Sequence, residues 1–430
     1  MLVGNATRRV AIIGGVRTPF ARSNTAYADT DNQELLTASL HALVERFGLR
    51  GERLGDVIAG AVIKYPQSYN LTRESALSTG LDPHTPGLDV QRACGTSLEA
   101  AILIANKIAL GQIDAGIAGG VDVLSDPPVL YPKSFQRLLL RSAQGRSPMQ
   151  RLRPWVGLRP RDLSPTLPAV VEPRTGLSMG QSCELMVKRW QISREDQDRL
   201  AYESHVKAAT AWREGFYDDL VVAYRDLKID NNIRTDTTPE KLAKLKPVFD
   251  RSGTGSLTAG NSTPLTDGAA ALLLASEAWA AARHLPVLAY LCAGKTWAVD
   301  FASGQEGLLM APAYAVAGIL KDTGLALQDF DYYEIHEAFA AVPLCLRKAW
   351  ESPEYCREHL GRPTPLGAID SARLNVKGGS VAIGHPFAAT GARIVAGLAK
   401  LLALDPHSKR GLASVCTAGG MGVTAILERA

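Results

Sequence analysis

Paired cysteines are missing from this chain. Its six cysteines, Cys94, Cys183, Cys292, Cys345, Cys356 and Cys416, are scattered over 430 residues without a short repeated spacing. That excludes a disulfide framework and a paired zinc-ligand pattern, leaves no metal-ligand set, and fits a reducing compartment. No apolar run approaches the roughly 20 residues of a membrane span. Met1 to Arg9 runs straight into the strand-like Val10–Ile13, with no room for a signal peptide's apolar core or a long Arg/Ser-rich transit segment, so a cytoplasmic location is expected. Net charge is short as well: +4 is too little at this length to imply a nucleic-acid partner. The apolar content is ordinary, 46% against 21% charged, and suffices for two or three domains with large cores.

Apolar strand-like runs alternate with helix-period segments from the start: Val10–Ile13, Leu35–Phe47, Val57–Ile63. This is an α/β rhythm. Val287–Ala293, Tyr314–Leu320 and Tyr332–Ile335 repeat it, and Leu412–Cys416 pairs with Met421–Leu427 across Gly419-Gly420. The expectation is two related α/β halves, residues 1–124 with 264–288 and residues 289–430. Each half carries a small-residue turn leading into an apolar helix, at Cys94 and at His385. Between the halves, 125–263 is rich in Pro and Arg early and in charged helix later, and reads as an inserted domain.

Leu88–Ala93 reads as a strand, and Leu98, Ala101, Ile102, Ala105 and Ile108 then recur at helical spacing until Gly111. Cys94 sits at the junction. Thr96 followed by Glu99 fits a capping box, so the helix should begin within two residues of the thiol. Free N–H groups and the positive end of the helix dipole favour a thiolate there and can donate to an oxyanion. An isolated Cys among Ala, Gly and Ser more often just packs tightly, so other motifs must decide. Gly378–Pro386 is a glycine-dense turn ending in His385, where an imidazole can take a thiol proton. Leu412–Cys416 places a second Cys at a strand end before a tight turn.

Together these residues resemble the thiolase family over essentially the whole chain. The stretches that carry the resemblance are Arg17-Thr18-Pro19-Phe20, Arg92-Ala93-Cys94-Gly95-Thr96-Ser97, Gly119-Gly120-Val121-Asp122, Asn261 to Ala270, His336-Glu337-Ala338-Phe339, Gly384-His385-Pro386 and Cys416-Thr417-Ala418-Gly419-Gly420. The resemblance implies a layered αβαβα fold with an inserted loop domain, and an acyltransferase that cleaves or makes 3-ketoacyl-CoA thioesters. It implies Cys94 as the acylated nucleophile, His385 as its base and Cys416 as the acid/base at the α-carbon. Two oxyanion sites are implied, one from the N–H groups of Cys94 and Ala418, the other from His385 with a water held by His336. Coenzyme A enters as substrate, with no prosthetic group. Thr263 would hydrogen-bond its pantetheine, Met179 would pack beside it, Arg234 would lie near the adenine or phosphates, and Phe339 would border the thioester pocket.

Two positions depart from the commonest family pattern. Many thiolases carry Asn where this chain has His336, and Gly where it has Ala418. His-Glu-Ala-Phe resembles the branch of the trifunctional fatty-acid oxidation complex β-subunit, as do Arg159–Leu163 and Pro168-Ala169-Val170. That implies degradative β-oxidation, a homodimer or tetramer, and a hydratase/dehydrogenase α-subunit as partner. The alternatives are a biosynthetic acetoacetyl-CoA thiolase, a condensing synthase of the superfamily, which would lack the second cysteine, and a non-catalytic module binding acyl-CoA or sterol.

Between Pro127 and Arg161 stand eight basic residues and no acidic one. Ser134–Ser142 is expected to form a helix with Phe135, Leu138 and Leu139 on one face and Arg137 and Arg141 on another, the pattern of a membrane-surface or partner-docking segment.

Overall fold

The computed structural model describes residues 8–165 and 171–430. The Met1–Thr7 part of the leader reading and the Pro168-Ala169-Val170 motif lie outside the described residues. The strands are β1 (Val10–Arg17), β2 (Ala21–Arg22), β3 (Asp56–Ala59), β4 (Gly87–Asp89), β5 (Ala115–Asp122), β6 (Thr266–Ser276), β7 (Ala289–Ala298), β8 (Tyr332–Ile335), β9 (Arg410–Thr417) and β10 (Met421–Arg429). They follow one path, β4-β3-β5-β6-β1-β7-β10-β9-β8, with β2 beside β6.

That path is nearly a palindrome about the β1–β7 junction, which consists of only two residue pairs, Ala11 with Tyr290 and Ile12 with Ala289. On the first side, β4, β3 and β5 run parallel, while β6 is antiparallel to both β5 and β1. On the second side, β8 and β9 run parallel, while β10 is antiparallel to both β9 and β7. The counterpart of β4 is a single parallel bridge from Leu374 to Tyr333, so the second half has four strands rather than five. The reason is Asn375, whose φ of 45° turns the chain out of the ladder. Its side chain replaces the missing backbone: Oδ1 accepts from Ile335 N–H at 2.9 Å and Nδ2 donates to Ile335 O at 2.9 Å.

Helices fill the remaining layers. Asn32–Arg46 buries Leu35, Leu36, Leu40, Leu43 and Val44 on the outer face of the first half. Ala311–Thr323 and Ala341–Glu351 cover the outer face of the second. Between the halves lie Thr96–Ala109 and Thr390–Leu404, each touching strands of both. The result is αβαβα. Phe387–Leu404 is long and apolar enough to cross a membrane, yet it is the central layer of this core. The two central helices cross closely enough that a Cβ on Gly391 would lie 2.5 Å from Leu98 N, so glycine is required there. This contact brings the turns preceding both helices to one place.

The inserted stretch divides in two. Lys133–Gln144 and Pro148–Leu152 form a peripheral lobe with few buried side chains. The rest is stitched to the body: the buried Asp230 carboxylate accepts from Arg17 at 2.6 and 2.7 Å, from Phe20 N–H at 2.7 Å and from Trp212 Nε1 at 3.0 Å. Removing one partner of such a pair leaves a buried charge uncompensated, which costs about 3–5 kcal/mol.

Candidate active site

The chain between β4 and the helix at Thr96 is a tight turn rather than a continued strand. Ala93 stands at φ 43°, a left-handed conformation uncommon for a residue with a Cβ. Val90 N–H still bonds Ala59 O at 2.9 Å, after which the chain leaves the sheet. Thr96 is the first helical residue, not the cap. Its hydroxyl accepts from Arg92 N–H at 2.9 Å and donates to Ala93 O at 2.7 Å, closing the turn around Cys94. Glu99 pairs with Arg92 instead of capping. The helix does begin two residues past the thiol, but a different hydrogen-bond pattern starts it.

Cys94 is packed on most sides and keeps a partial opening. Burial pushes its thiol up to about 12, despite N–H donation from Ala418 and from Cys94 itself; Asp122 adds to the rise. The helix start therefore does not yield a resting thiolate, because loss of hydration outweighs the two N–H groups. The thiol is neutral until a base takes its proton.

His385 is the second member. Burial, then Arg393, pushes its imidazole down to about 3, so it is neutral. Its tautomer follows from Thr390. The Thr390 hydroxyl donates to Pro386 O at 3.1 Å, so at 2.6 Å from His385 Nδ1 it serves as acceptor. Nδ1 thus carries the hydrogen and Nε2 presents a lone pair, the state a thiol base needs. Ala392 N–H donates to Ser97 Oγ at 2.8 Å, fixing the His385 turn to the Cys94 turn.

Asp122, from the Gly-Gly-Val-Asp motif, ties the His385 turn to the 62–63 segment. Its carboxylate accepts from Val62 N–H and Ile63 N–H at 2.9 and 2.8 Å and from Ala388 N–H at 2.7 Å. The sequence had singled out the motif but not this role.

Cys416 ends β9. Burial, then Cys94, raises its thiol above the usual range, while N–H donation from its own residue and from Ala338 counters. The turn beyond it has Gly419 and Gly420 at φ 77° and 68°, and Gly419 N–H donates to Glu172 at 2.6 Å. Cys183 and Cys345 lie in the same apolar cluster as Cys416. His336 is fully enclosed, its ring centroid 4.1 Å from that of His385. Burial, then His385 and Arg393, holds it well below the usual imidazole range, so two neutral rings stand side by side.

Among the four expected catalytic residues, Cys94 thus stands with Cys416 and the Ala418 N–H, and His385 with His336. The residues expected around coenzyme A are more dispersed. Thr263 donates its hydroxyl to Ala338 O at 3.0 Å, so toward a ligand it offers an acceptor. Met179 begins a helix and packs half-buried on the cluster around Cys416. Phe339 is buried, edge-on to Phe249 at 5.7 Å. Arg234 borders a cavity of about 60 Å³ with Arg22 and His205, where Ser262 Oγ and Asn232 Oδ1 are buried without a partner. Such orphaned groups suit a polar ligand. A cavity of about 1000 Å³ lies elsewhere, between helix Asn32–Arg46 and Val222–Tyr224, and holds none of these residues.

Sequence reasoning missed Thr390, Ser380, Arg393, Glu337 and Asn375. Glu337 accepts from Asn375 Nδ2 at 2.7 Å, Ser204 at 2.8 Å and Val381 N–H at 3.3 Å, locking the 336–339 loop to the glycine turn. Arg393 had a signal: a charge beside Ile394 and Val395 within an apolar helix.

The family model for the N-terminal domain of thiolase matches residues 10–278, and that for the C-terminal domain of thiolase matches 286–429. A 3-ketoacyl-CoA thiolase of Yersinia pestis is 43% identical over 437 aligned positions, covering 99% of this chain and 98% of its own; one from Yersinia pseudotuberculosis matches equally. An acetyl-CoA acetyltransferase crystal structure from Bacillus anthracis superposes with a TM-score of 0.82 at 30% identity, covering 99% of this chain and 100% of that one. A thiolase from Ascaris suum, solved in complex with coenzyme A, gives 0.79 at 27% identity, covering 98% and 100%.

Proposed function

The chain belongs to the thiolase family, and from that premise we propose that it is a 3-ketoacyl-CoA thiolase of fatty-acid β-oxidation. The observation that carries this reading is the pairing of two neutral thiols, Cys416 buried and Cys94 partly open, beside the N–H of Ala418, together with two neutral imidazoles side by side. His385 Nε2 takes the Cys94 proton as the thiolate attacks the 3-keto carbon. Cleavage of the C2–C3 bond leaves acyl-Cys94 and the enolate of acetyl-CoA, which Cys416 protonates at carbon. The thiolate of free coenzyme A then attacks acyl-Cys94 and releases the shortened acyl-CoA. The N–H groups of Cys94 and Ala418 hold the oxyanion on the Cys94 side, and removal of one such donor costs about 2.7–4 kcal/mol. Thr263, Met179, Phe339 and Arg234 would line the path of coenzyme A, the substrate that carries the acyl group.

The test is loss of 3-ketoacyl-CoA absorbance on addition of free coenzyme A, run also in the condensing direction with acetyl-CoA. Thiolysis of long and medium chains is the expected result. Activity confined to acetoacetyl-CoA would favour the biosynthetic alternative, and binding without turnover a carrier of acyl-CoA or sterol.

The peripheral lobe supports a second reading, contact with an anionic membrane. Its basic residues, Lys133 to Arg161, are all exposed. Leu139, Leu140, Met149, Leu152 and Val156 are exposed among them. Phe135 is not part of that surface as expected; it is buried between Tyr131 and Trp155 as the lobe's own core. Each basic residue near an anionic surface adds about 1 kcal/mol of attraction. Arg137→Glu/Arg141→Glu is expected to abolish low-salt flotation with anionic liposomes and leave thiolysis intact. Equal flotation would leave docking of an α-subunit as the use of this surface. A homodimer or tetramer fits the exposed edge of β4, where Leu88 faces solvent; light scattering checks it.

A further inference from the structure

His336 is the place where this chain departs from the commoner asparagine, and its surroundings contain a buried charge that the reaction outlined above does not use. His336 Nδ1 lies 2.8 Å from Ser380 Oγ. The same hydroxyl accepts from Arg393 Nη2 at 2.8 Å. Arg393 is buried, as is Glu334, whose carboxylate lies 3.8 Å from Arg393 Nη1 and balances its charge. On the other side of the ring, His336 Nε2 is buried and has no hydrogen-bond partner.

A count of hydrogens fixes the arrangement. A serine hydroxyl has one hydrogen and two lone pairs, and a guanidinium only donates. Arg393 therefore occupies a lone pair of Ser380 and cannot receive its hydrogen. Among the described residues the other polar atom bonded to Ser380 Oγ is His336 Nδ1, so the arrangement that gives the hydroxyl's hydrogen a partner has it donating to Nδ1. With its lone pair engaged there, Nδ1 carries no hydrogen, and the neutral ring holds its hydrogen on Nε2. An N–H buried without a partner is costly to leave unmade, so it is built for an acceptor that arrives with the substrate. His385 is set the opposite way: Thr390 takes a hydrogen from its Nδ1 and leaves Nε2 with a lone pair. One ring accepts a proton while its neighbour donates a hydrogen bond, and the difference lies in the hydroxyl behind each.

We propose that Ser380 and Arg393 are positioning residues that hold His336 in its Nε2–H form, making it the donor to the thioester oxygen that gains charge as the acetyl-CoA enolate forms. The inference rests on the thiolase reading and adds two residues to it. Glu334 keeps Arg393 in place. Ser380 acts through its hydrogen, so a substitution that retains a hydroxyl retains the arrangement.

The experiment compares wild type with Ser380→Ala, Ser380→Thr and Arg393→Met in steady-state thiolysis, together with nitrogen NMR of protein labelled at its histidine side chains. Resonances of His336 are identified by their loss in His336→Asn. In wild type, His336 Nε2 should carry the hydrogen and Nδ1 should be an acceptor. Ser380→Ala should lower kcat about ten- to a hundredfold, with KM changed less than about threefold, and the Nε2–H signal should shift toward a mixture of tautomers. Ser380→Thr should restore most of the rate. Arg393→Met should weaken the same signal and lower kcat by less than Ser380→Ala. A hydrogen on His336 Nδ1 in wild type would overturn the proposal, as would an unchanged kcat in a folded Ser380→Ala protein. A wild type without thiolase activity would instead count against the proposed function, while the NMR result would still report on the tautomer.

Discussion

The two halves share a strand order but use the same turn differently. In the first half the chain leaves β4, bends at Ala93 and enters its helix at Thr96, so Cys94 stands two residues from a helix start. In the second it leaves the Leu374 bridge, makes the short helix Ser380–Ile383, bends at Gly384 with φ 109°, and enters its helix only at Thr390. The longer second turn gives room for an imidazole and for a hydroxyl that sets its tautomer. The shorter one presses a small thiol against backbone N–H groups. A duplicated frame thus supplies two sites of the same kind, and turn length decides which chemistry each can hold.

The largest effect should come from removing the nucleophile. Cys94→Ser is expected to lower thiolysis on the order of a thousandfold or more and to lose the labile acyl adduct seen by mass spectrometry after incubation with acyl-CoA. Cys416→Ala sharpens the contrast, because it should still acquire the adduct yet fail to exchange the α-protons of acetyl-CoA with solvent. An adduct on another cysteine, or normal exchange in Cys416→Ala, would break the assignment.

Gly384→Ala comes next. Its φ of 109° is strained for any side chain, and a Cβ would meet Asn232 Nδ2 at 2.7 Å and Thr266 Cγ2 at 2.8 Å. The strain alone costs about 1–3 kcal/mol. Displacement of His385 should lower kcat roughly a hundredfold, measurable beside a fall in Tm.

The third expectation concerns acid. His385 is held near 3 against an ordinary value of 6.5, so the unfolded chain binds a proton that the folded one refuses between those pH values. Stability from this group is full above the unfolded value and is lost as pH falls from about 6.5 toward 3, on the order of 2 kcal/mol by pH 5. Thermal unfolding at pH 7 and pH 5 should show the loss, and His385→Asn should flatten the slope.

Ala93→Gly should have the smallest effect on stability. Glycine tolerates φ 43° but gains freedom in the unfolded chain, and the two terms nearly cancel, leaving a change within about 1 kcal/mol. A large loss of stability would mean that the Ala93 methyl, rather than the turn it occupies, supports Cys94.

Much of this was legible because it is local. Period and turn residues revealed the α/β rhythm, the strands Tyr332–Ile335 and Leu412–Cys416, and the turns at Cys94 and His385. Composition marked the basic lobe, although the fate of Phe135 depended on Tyr131 and Trp155 folding back over it. The capping box at Thr96 failed because a Thr hydroxyl has several backbone groups in reach and spacing does not choose among them. The thiolate at Cys94 failed because the sequence displays the helix start but not the loss of water around it.

By itself, then, the sequence determined the order of elements and the places where the chain turns, since these depend on residue type and near-neighbour spacing, while the roles proposed for Cys94, His385 and Cys416 rest on the resemblance of their motifs to a family. Only the tertiary structure decided their states of protonation. Burial makes Cys94, His385 and His336 neutral, and contacts across the fold, Ala418 on Cys94 and Arg393 behind Ser380, determine where hydrogens lie. Desolvation and hydrogen-bond direction depend on what the rest of the chain packs around a group, and that is settled only when the two halves close over their central helices.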